Sequence, residues 1–242
     1  HGPITAWARS QNLATMSVFG EFCQFPAVRR QRLLPGHTTE QLDPCYASQE
    51  KLEANLLGRV KRGDYVFIGN ALYGAFSGHW VDWVEDWYVD AEGRSISQPQ
   101  ALADYLQRLE QLARKLSDRG VTVVLFLDSA HFLEMTQVND ATLCRKQWFN
   151  ILPEGCQIPT QQFLAQRRPI AQGLQKIAQR DRVYLWDGLD RHTCDDRVCT
   201  AARYVDNNHF TADYAEYLFQ TFRQQHPQIF DRREREIPLP VK

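Results

Sequence analysis

Residues 121–127 read VTVVLFL, and this unbroken apolar run predicts a strand that is buried on both faces of a parallel sheet. Immediately before it, residues 98–118 carry leucine and other apolar residues at the i, i+3, i+4 spacing of an amphipathic helix. Gly120 lies between the two segments, at the position where glycine commonly ends a helix. The two segments together therefore predict a helix that leads directly into a central strand.

The segments further out predict the same kind of architecture. Apolar runs at 64–69 (DYVFIG) and 182–187 (RVYLWD) predict two more strands, and residues 15–22 (TMSVFGEF) predict another. Helical spacing predicts helices over 4–13, 47–60 and 160–179, and a last helix that begins after Thr211. This alternation predicts a central parallel sheet with helices on both faces, a three-layer α/β/α fold. We expect one domain over residues 1–230 and a peripheral charged tail at 231–242.

The charge balance and the apolar runs argue against two classes of protein. Lys and Arg number 28 and Asp and Glu number 29. A net charge of −1 is untypical of nucleic-acid-binding proteins, which usually carry a basic excess. No apolar run approaches the roughly 20 residues that a membrane-spanning helix needs.

The six cysteines fall into three pairs that are local in sequence. Local pairs predict three disulfides in an oxidising compartment, and the alternative is six buried free thiols. None of the pairs has the spacing of a zinc ribbon or of a thioredoxin-type motif. The predicted disulfides are Cys23 with Cys45, Cys144 with Cys156, and Cys194 with Cys199.

The chemistry concentrates at residues 204–211 (YVDNNHFT), where Asp206 and His209 stand three residues apart ahead of the last predicted helix. On such a turn the carboxylate can orient the imidazole and stabilise its protonated form, while the other ring nitrogen faces a nucleophile. The alternative is a helix-capping turn that happens to contain a histidine. The pair is therefore a candidate catalytic dyad.

Taken in order along the chain, these features resemble the SGNH (GDSL-type) hydrolase superfamily. They resemble in particular the extracytoplasmic SGNH domain that is fused to family 3 membrane acyltransferases. The segments that carry the resemblance are DNNHFT at 206–211, Cys194 and Cys199 just before it, CQFP at 23–26, and the cysteines of the long loop after VVLFLD.

The resemblance implies an enzyme with a Ser-His-Asp mechanism, in which His209 acts as general base and then as acid and Asp206 holds it. It implies transfer or hydrolysis of an O-acyl group, O-acetyl in particular, on a bacterial cell-envelope polysaccharide, without a cofactor or a metal. The implied partners are an acyl donor, a glycan acceptor and a membrane acyltransferase domain of the same protein. The implied location is the periplasm, with a tether to the inner membrane through an N-terminal region.

The Gly-Asp-Ser motif that supplies the nucleophile in this superfamily is absent from residues 1–242. We expect that motif, and the first strand that it ends, to lie upstream of residue 1, so that the 242-residue chain is inactive by itself. Ser129, which follows a strand and precedes His131, is the alternative nucleophile. Asn70, beside Gly69, is the candidate oxyanion-hole donor, and the alternative for these two residues is a simple turn.

Two other functions stay open. Asp128 and His131 repeat the Asp-x-x-His spacing and, with the dyad, offer ligands to a metal-dependent hydrolase. A non-catalytic, degenerate SGNH domain that binds glycan is the main alternative to an enzyme. Its candidate sugar-stacking residues, which equally suit the core of an insertion, are Trp80, Trp83 and Trp87.

Overall fold

The structure is a computed structural model that describes residues 2–17, 24–29, 43–70, 72, 76, 88–127, 130, 132, 144, 155–189, 192–205 and 209–230. In chain order the helices are α1 (Gly2–Ser10), α2 (Asp43–Arg59), α3 (Gln98–Ser117), α4 (Thr160–Ile177), α5 (Ala212–Gln225) and α6 (Pro227–Phe230). The strands are β1 (Tyr65–Gly69), β2 (Tyr88–Val89), β3 (Ser95–Ile96), β4 (Thr122–Leu127), β5 (Gln157–Pro159), β6 (Val183–Asp187) and β7 (Val198–Thr200). A 3-10 turn, Ala201–Arg203, follows β7.

The central sheet consists of parallel strands in the order β1-β4-β6. In the middle of the sheet, Val124 pairs with Phe67 of β1 on one side and with Tyr184 of β6 on the other. Val124 is fully buried, as the apolar run at 121–127 predicts. The three strands predicted around 64–69, 121–127 and 182–187 are therefore confirmed.

Helices cover both faces of this sheet because alternate residues of each strand point in opposite directions. On one face, Val66, Val123 and Val183 pack with α3 and α4 in the main core. On the other face, Phe67 and Trp186 pack with aromatic residues of α1, α5 and α6. The predicted three-layer α/β/α arrangement is confirmed.

Helix α3 has clear sequence reasons for both of its ends. The Ser97 hydroxyl accepts a hydrogen bond from the Gln100 N–H, and the Gln100 side chain accepts one from the Ser97 N–H, which is a capping box. At the other end, Gly120 has a φ of +77°, a conformation that costs glycine little. The helix therefore begins and ends within one residue of its predicted bounds.

The strand predicted over residues 15–22 is not found where the structure describes it. Thr15, Met16 and Ser17 have no regular secondary structure and are exposed, with Met16 55% exposed. The apparent alternation of this segment therefore does not reflect burial at its beginning. Residues 18–22, like the predicted tail at 231–242, lie outside the described residues.

A second, smaller core lies above the carboxyl edge of the sheet, next to the residues that follow β4 and β6. We call it the cap. It has two disulfides at its centre, Cys144–Cys156 and Cys194–Cys199, which confirms two of the three predicted pairs. The third pair, Cys23 with Cys45, lies outside the described side chains. The buried members of the cap are Ala130, Phe132, Cys144, Cys156, Phe163, Cys199, Ala201 and Tyr204.

No helix within the described ranges is long and apolar enough to cross a membrane.

Candidate active site

Open parallel sheets place their ligands at the carboxyl ends of the strands, and here those ends are Gly69, Leu127 and Asp187. Asn70 follows the first of them, and the cap covers the other two because Ala130 and Leu189 belong to it. A ligand site is therefore expected among the groups at this edge and in the cap.

His209 lies on a turn that the cap holds in place. The Val205 N–H donates to the His209 carbonyl at 2.8 Å, and Tyr204 and Phe210 form an antiparallel bridge across the turn. Tyr204 is fully buried, whereas His209 is exposed. The chain therefore anchors the turn through the buried tyrosine and presents the histidine at the surface, one residue before Phe210 and three before α5.

A series of backbone hydrogen bonds connects this turn to the disulfides. The Ala201 N–H donates to the Cys156 carbonyl at 3.1 Å, and the Thr211 N–H donates to the Arg203 carbonyl at 2.9 Å. The strands β5 and β7 form an antiparallel ribbon in which Ile158 is opposite Cys199. The positions of both ends of the His209 turn are thus tied to residues that the disulfides fix.

The loop of the shorter disulfide is closed by a carboxylate. Asp195 accepts the N–H groups of Val198 at 2.8 Å and of Arg197 at 2.7 Å. These two backbone hydrogen bonds, the one from Val198 foremost, lower the pKa of Asp195 below its usual range. The Asp195 carboxylate therefore stays ionised over the ordinary pH range and keeps both hydrogen bonds that close the loop.

Asn70 is fully engaged in hydrogen bonds at the end of β1. Its Oδ1 accepts the Phe25 N–H at 3.0 Å, and its Nδ2 donates to the Phe25 carbonyl at 2.7 Å and to the Tyr105 hydroxyl at 3.0 Å. Both Nδ2 hydrogens are thereby used, so an oxyanion would have to replace one of these two acceptors. Through the two hydrogen bonds to Phe25, Asn70 holds residues 24–29 at the end of β1.

Arg167 is a buried charge that sequence reasoning missed. Its side chain is 5% exposed, and its guanidinium forms a two-point ion pair with Asp187 at the end of β6. The same guanidinium lies 3.5 Å from the Leu127 carbonyl at the end of β4. The available signal was its place in the apolar stripe of a helix, at four residues after Phe163 and three before Ile170, both of which are buried.

Several predicted site residues lie outside the described residues. They are Asp206, the serine and flanking residues Asp128, Ser129 and His131, and the tryptophans Trp80, Trp83 and Trp87. Their roles stay predictions. Within the part of the chain that is described, no group of three or more His, Cys, Asp or Glu side chains is placed to hold a metal ion.

The fold defines a class of protein, a three-layer α/β domain with a parallel sheet flanked by helices, which is consistent with an SGNH-like fold. Comparison of the sequence with protein families identifies the particular family. The chain belongs to the family described as the SGNH domain fused to AT3 domains, whose model matches residues 2–224. Membership implies a role in O-acyl modification. No curated protein and no solved structure matches the chain.

Proposed function

We propose that this domain transfers or hydrolyses an O-acyl group, O-acetyl in particular, on a cell-envelope polysaccharide, with His209 and Asp206 as its acid–base dyad. The observation that supports the proposal is that His209 is exposed on a turn whose flanking residues, Tyr204 and Phe210, pack in and against the cap. The family match over residues 2–224 supplies the reaction class.

The mechanism needs a nucleophile, and we propose a serine of a Gly-Asp-Ser motif encoded outside residues 1–242. The motif does not occur in these residues, and within the described residues β4 is the only strand that pairs with β1. The other edge of β1 is where an additional parallel strand, with a serine at its carboxyl end, would bring a hydroxyl close to Asn70 and the cap. Ser129 is the alternative nucleophile.

The proton transfers follow from these assignments. His209 removes the proton from the serine hydroxyl as its oxygen attacks the acyl carbonyl, and Asp206 stabilises the resulting imidazolium. The tetrahedral intermediate expels the donor's leaving group, which takes the proton from His209 and leaves an acyl-enzyme. An acceptor hydroxyl, or water, then attacks the acyl-enzyme while His209 accepts its proton. Collapse of the second intermediate breaks the bond to the serine oxygen, which takes that proton back from His209, and releases the acylated acceptor or the free acid.

Membership of the family also suggests the acyl donor, the acceptor and the compartment of the reaction. We propose that the acyl group arrives from an AT3 membrane domain of the same protein and that the acceptor is a glycan in the periplasm. The two disulfides suit that oxidising compartment. Trp80, Trp83 and Trp87 are the proposed stacking residues for the acceptor sugar.

The test is a comparison of variants of the full-length natural protein with 4-nitrophenyl acetate as the acyl donor. Replacing His209 or Asp206 by Ala should lower kcat by a factor on the order of 10⁴. His226→Ala is the matched control, because this histidine lies at the other end of α5 and outside the proposed site. Wild-type kcat in His209→Ala would overturn the proposal, and loss of activity in Ser129→Ala would move the nucleophile to that residue.

A further inference from the structure

We propose that Arg167 is a positioning residue for the reaction: through Asp187 and the Leu127 carbonyl it fixes the cap, and hence His209, at a set height above the sheet edge. This inference rests on the proposed function. It assigns a kinetic role to a residue that does not itself reach the reacting groups.

The Arg167 guanidinium is a buried charge at the carboxyl ends of two strands. A guanidinium that is 95% buried is stable only where its partners replace the lost water, and here those partners are the ends of two neighbouring strands. Asp187 ends β6, and Leu127 ends β4. Asp187 also accepts the Leu189 N–H at 2.8 Å, so the pair sets the direction in which the chain leaves β6. The positions from which both cap-forming loops start therefore depend on Arg167.

Helix α4, which carries Arg167, also contacts the loop of the shorter disulfide. Thr160, Phe163 and Arg167 lie on one face of α4, and all three are buried, at 7%, 0% and 4% exposure. The Thr160 hydroxyl donates to the Asp195 carbonyl at 2.9 Å, and its N–H donates to the Arg197 carbonyl at 2.9 Å. The first two turns of α4, about 10 Å of helix, thus connect the disulfide loop to the strand ends.

Packed aromatic side chains connect α4 to the residue next to His209. The centroid of the Phe163 ring lies 5.7 Å from Cζ of Arg167, and Phe163 and Tyr204 are both buried members of the cap. The Tyr204 ring contacts the Phe210 ring with centroids 4.8 Å apart, and Phe210 is the neighbour of His209. A change at Arg167 is therefore passed to the His209 turn through packed side chains. Because a misplacement of about 1 Å can cost roughly 100-fold in rate, such a change should be visible in kcat.

The experiment compares Arg167→Met and Arg167→Lys with the matched control Arg180→Met. Arg180 follows the same helix at its other end and pairs with Asp118 at the surface, where the two side chains are 38% and 60% exposed. On the full-length protein with 4-nitrophenyl acetate, Arg167→Met should lower kcat by about 10- to 100-fold with KM unchanged within about twofold. Arg167→Lys should recover part of kcat because it keeps the charge opposite Asp187. Arg180→Met should match the wild type.

Hydrogen exchange supplies a readout that does not depend on catalysis. In Arg167→Met the amide N–H groups of Val205 and Thr211 should exchange about tenfold faster, while that of Leu125 in the central strand keeps its protection. Equal acceleration at all three amides would mean a general loss of stability and would overturn the positioning role. If Arg167→Met does not fold, Arg167→Lys is the milder variant because it keeps a cation opposite Asp187, and it should show a smaller kcat loss with the same selective exchange.

The two proposals fail in different ways. If His209→Ala keeps wild-type activity, the proposed function is wrong, whatever Arg167 does. If His209→Ala is inactive while folded Arg167→Met keeps wild-type kcat, the dyad stands and the role of Arg167 is wrong.

Discussion

Replacing Asn70 by alanine should loosen the segment at residues 24–29 from the sheet edge and destabilise the whole domain. The substitution removes three hydrogen bonds, two to the Phe25 backbone and one to the hydroxyl of Tyr105, which is 1% exposed. Each such bond contributes about 0.5–1.5 kcal/mol to stability. The Tyr105 hydroxyl keeps the Phe25 carbonyl as a partner at 3.4 Å, so it is not left wholly unsatisfied. We therefore expect a loss of about 2–4 kcal/mol in the free energy of unfolding.

Urea denaturation and thermal melting of Asn70→Ala measure this loss. At about 2–4 °C per kcal/mol for a chain of this size, the melting temperature should fall by roughly 5–15 °C. Asn55→Ala is the matched control, because Asn55 is exposed on α2 and should tolerate alanine with little change. A loss below about 1 kcal/mol in Asn70→Ala, similar to that of the control, would show that the three Asn70 hydrogen bonds do not stabilise the domain as argued.

Asn70→Asp adds a pH test of the same geometry. A carboxylate at this position still accepts the Phe25 N–H but repels the Phe25 carbonyl, which raises the pKa of the new carboxyl in the folded state. A raised pKa gives stability that is present below the unfolded value of about 3.9 and is lost as the pH rises through the folded value. The deficit of Asn70→Asp relative to the wild type should therefore grow between about pH 4 and pH 7. A deficit that is independent of pH would contradict the donation from Nδ2 to Phe25.

Three further predictions concern other parts of the domain. Replacing both cysteines of a disulfide by serine should cost about 3 kcal/mol for Cys144–Cys156, with a separation of 12 residues, and about 2 kcal/mol for Cys194–Cys199, with 5, as measured by urea denaturation. Gly173→Ala should lower stability by about 1 kcal/mol because a Cβ there overlaps Leu106 of α3, whereas Gly58→Ala, with open space around it on α2, should raise stability by about 0.5–1 kcal/mol. Burial lowers the pKa of His226 below its ordinary value of 6.5, so the unfolded chain takes up the proton first and stability should fall as the pH drops through 6.5. Melting curves of His226→Gln should show a flatter pH dependence between about pH 5 and pH 7, and an unchanged slope would contradict the burial effect.

The sheet was predictable because the signals for its strands and helices lie within each segment of sequence. VTVVLFL has no polar side chain to satisfy other than that of Thr122, and α3 carries both its capping box and its glycine stop within the segment. The strand predicted from residue 15 failed where it is described, since Thr15, Met16 and Ser17 are exposed. A short alternation without a buried partner face is weak evidence for a strand.

The cap was not predictable in the same way. β5 and β7 have three residues each, too few for any periodicity, and they meet from segments about 40 residues apart. Arg167 stands in the apolar stripe of α4, but its partner Asp187 comes 20 residues later, and only the crossover from helix to parallel strand brings the two together. The hydrogen bonds between Asn70 and Phe25 join residues 45 positions apart in sequence. They involve the backbone of Phe25, which no side-chain pattern reveals.

The division into sheet and cap explains why the domain combines a large apolar core with disulfides. The main core joins the three parallel strands to α3 and α4, which bury their apolar side chains against one another. The cap is built from loops and a three-residue ribbon and, among the described residues, buries fewer side chains than the main core, so its two disulfides are expected to contribute more to holding its loops. His209 stands between two connections: its neighbour Phe210 bridges to Tyr204 of the cap, and α5, which begins three residues later, packs against the sheet. If Arg167 has the positioning role proposed above, the two disulfides and the Arg167–Asp187 pair act on the same unit, the cap, and a change in either should move the His209 turn relative to the sheet.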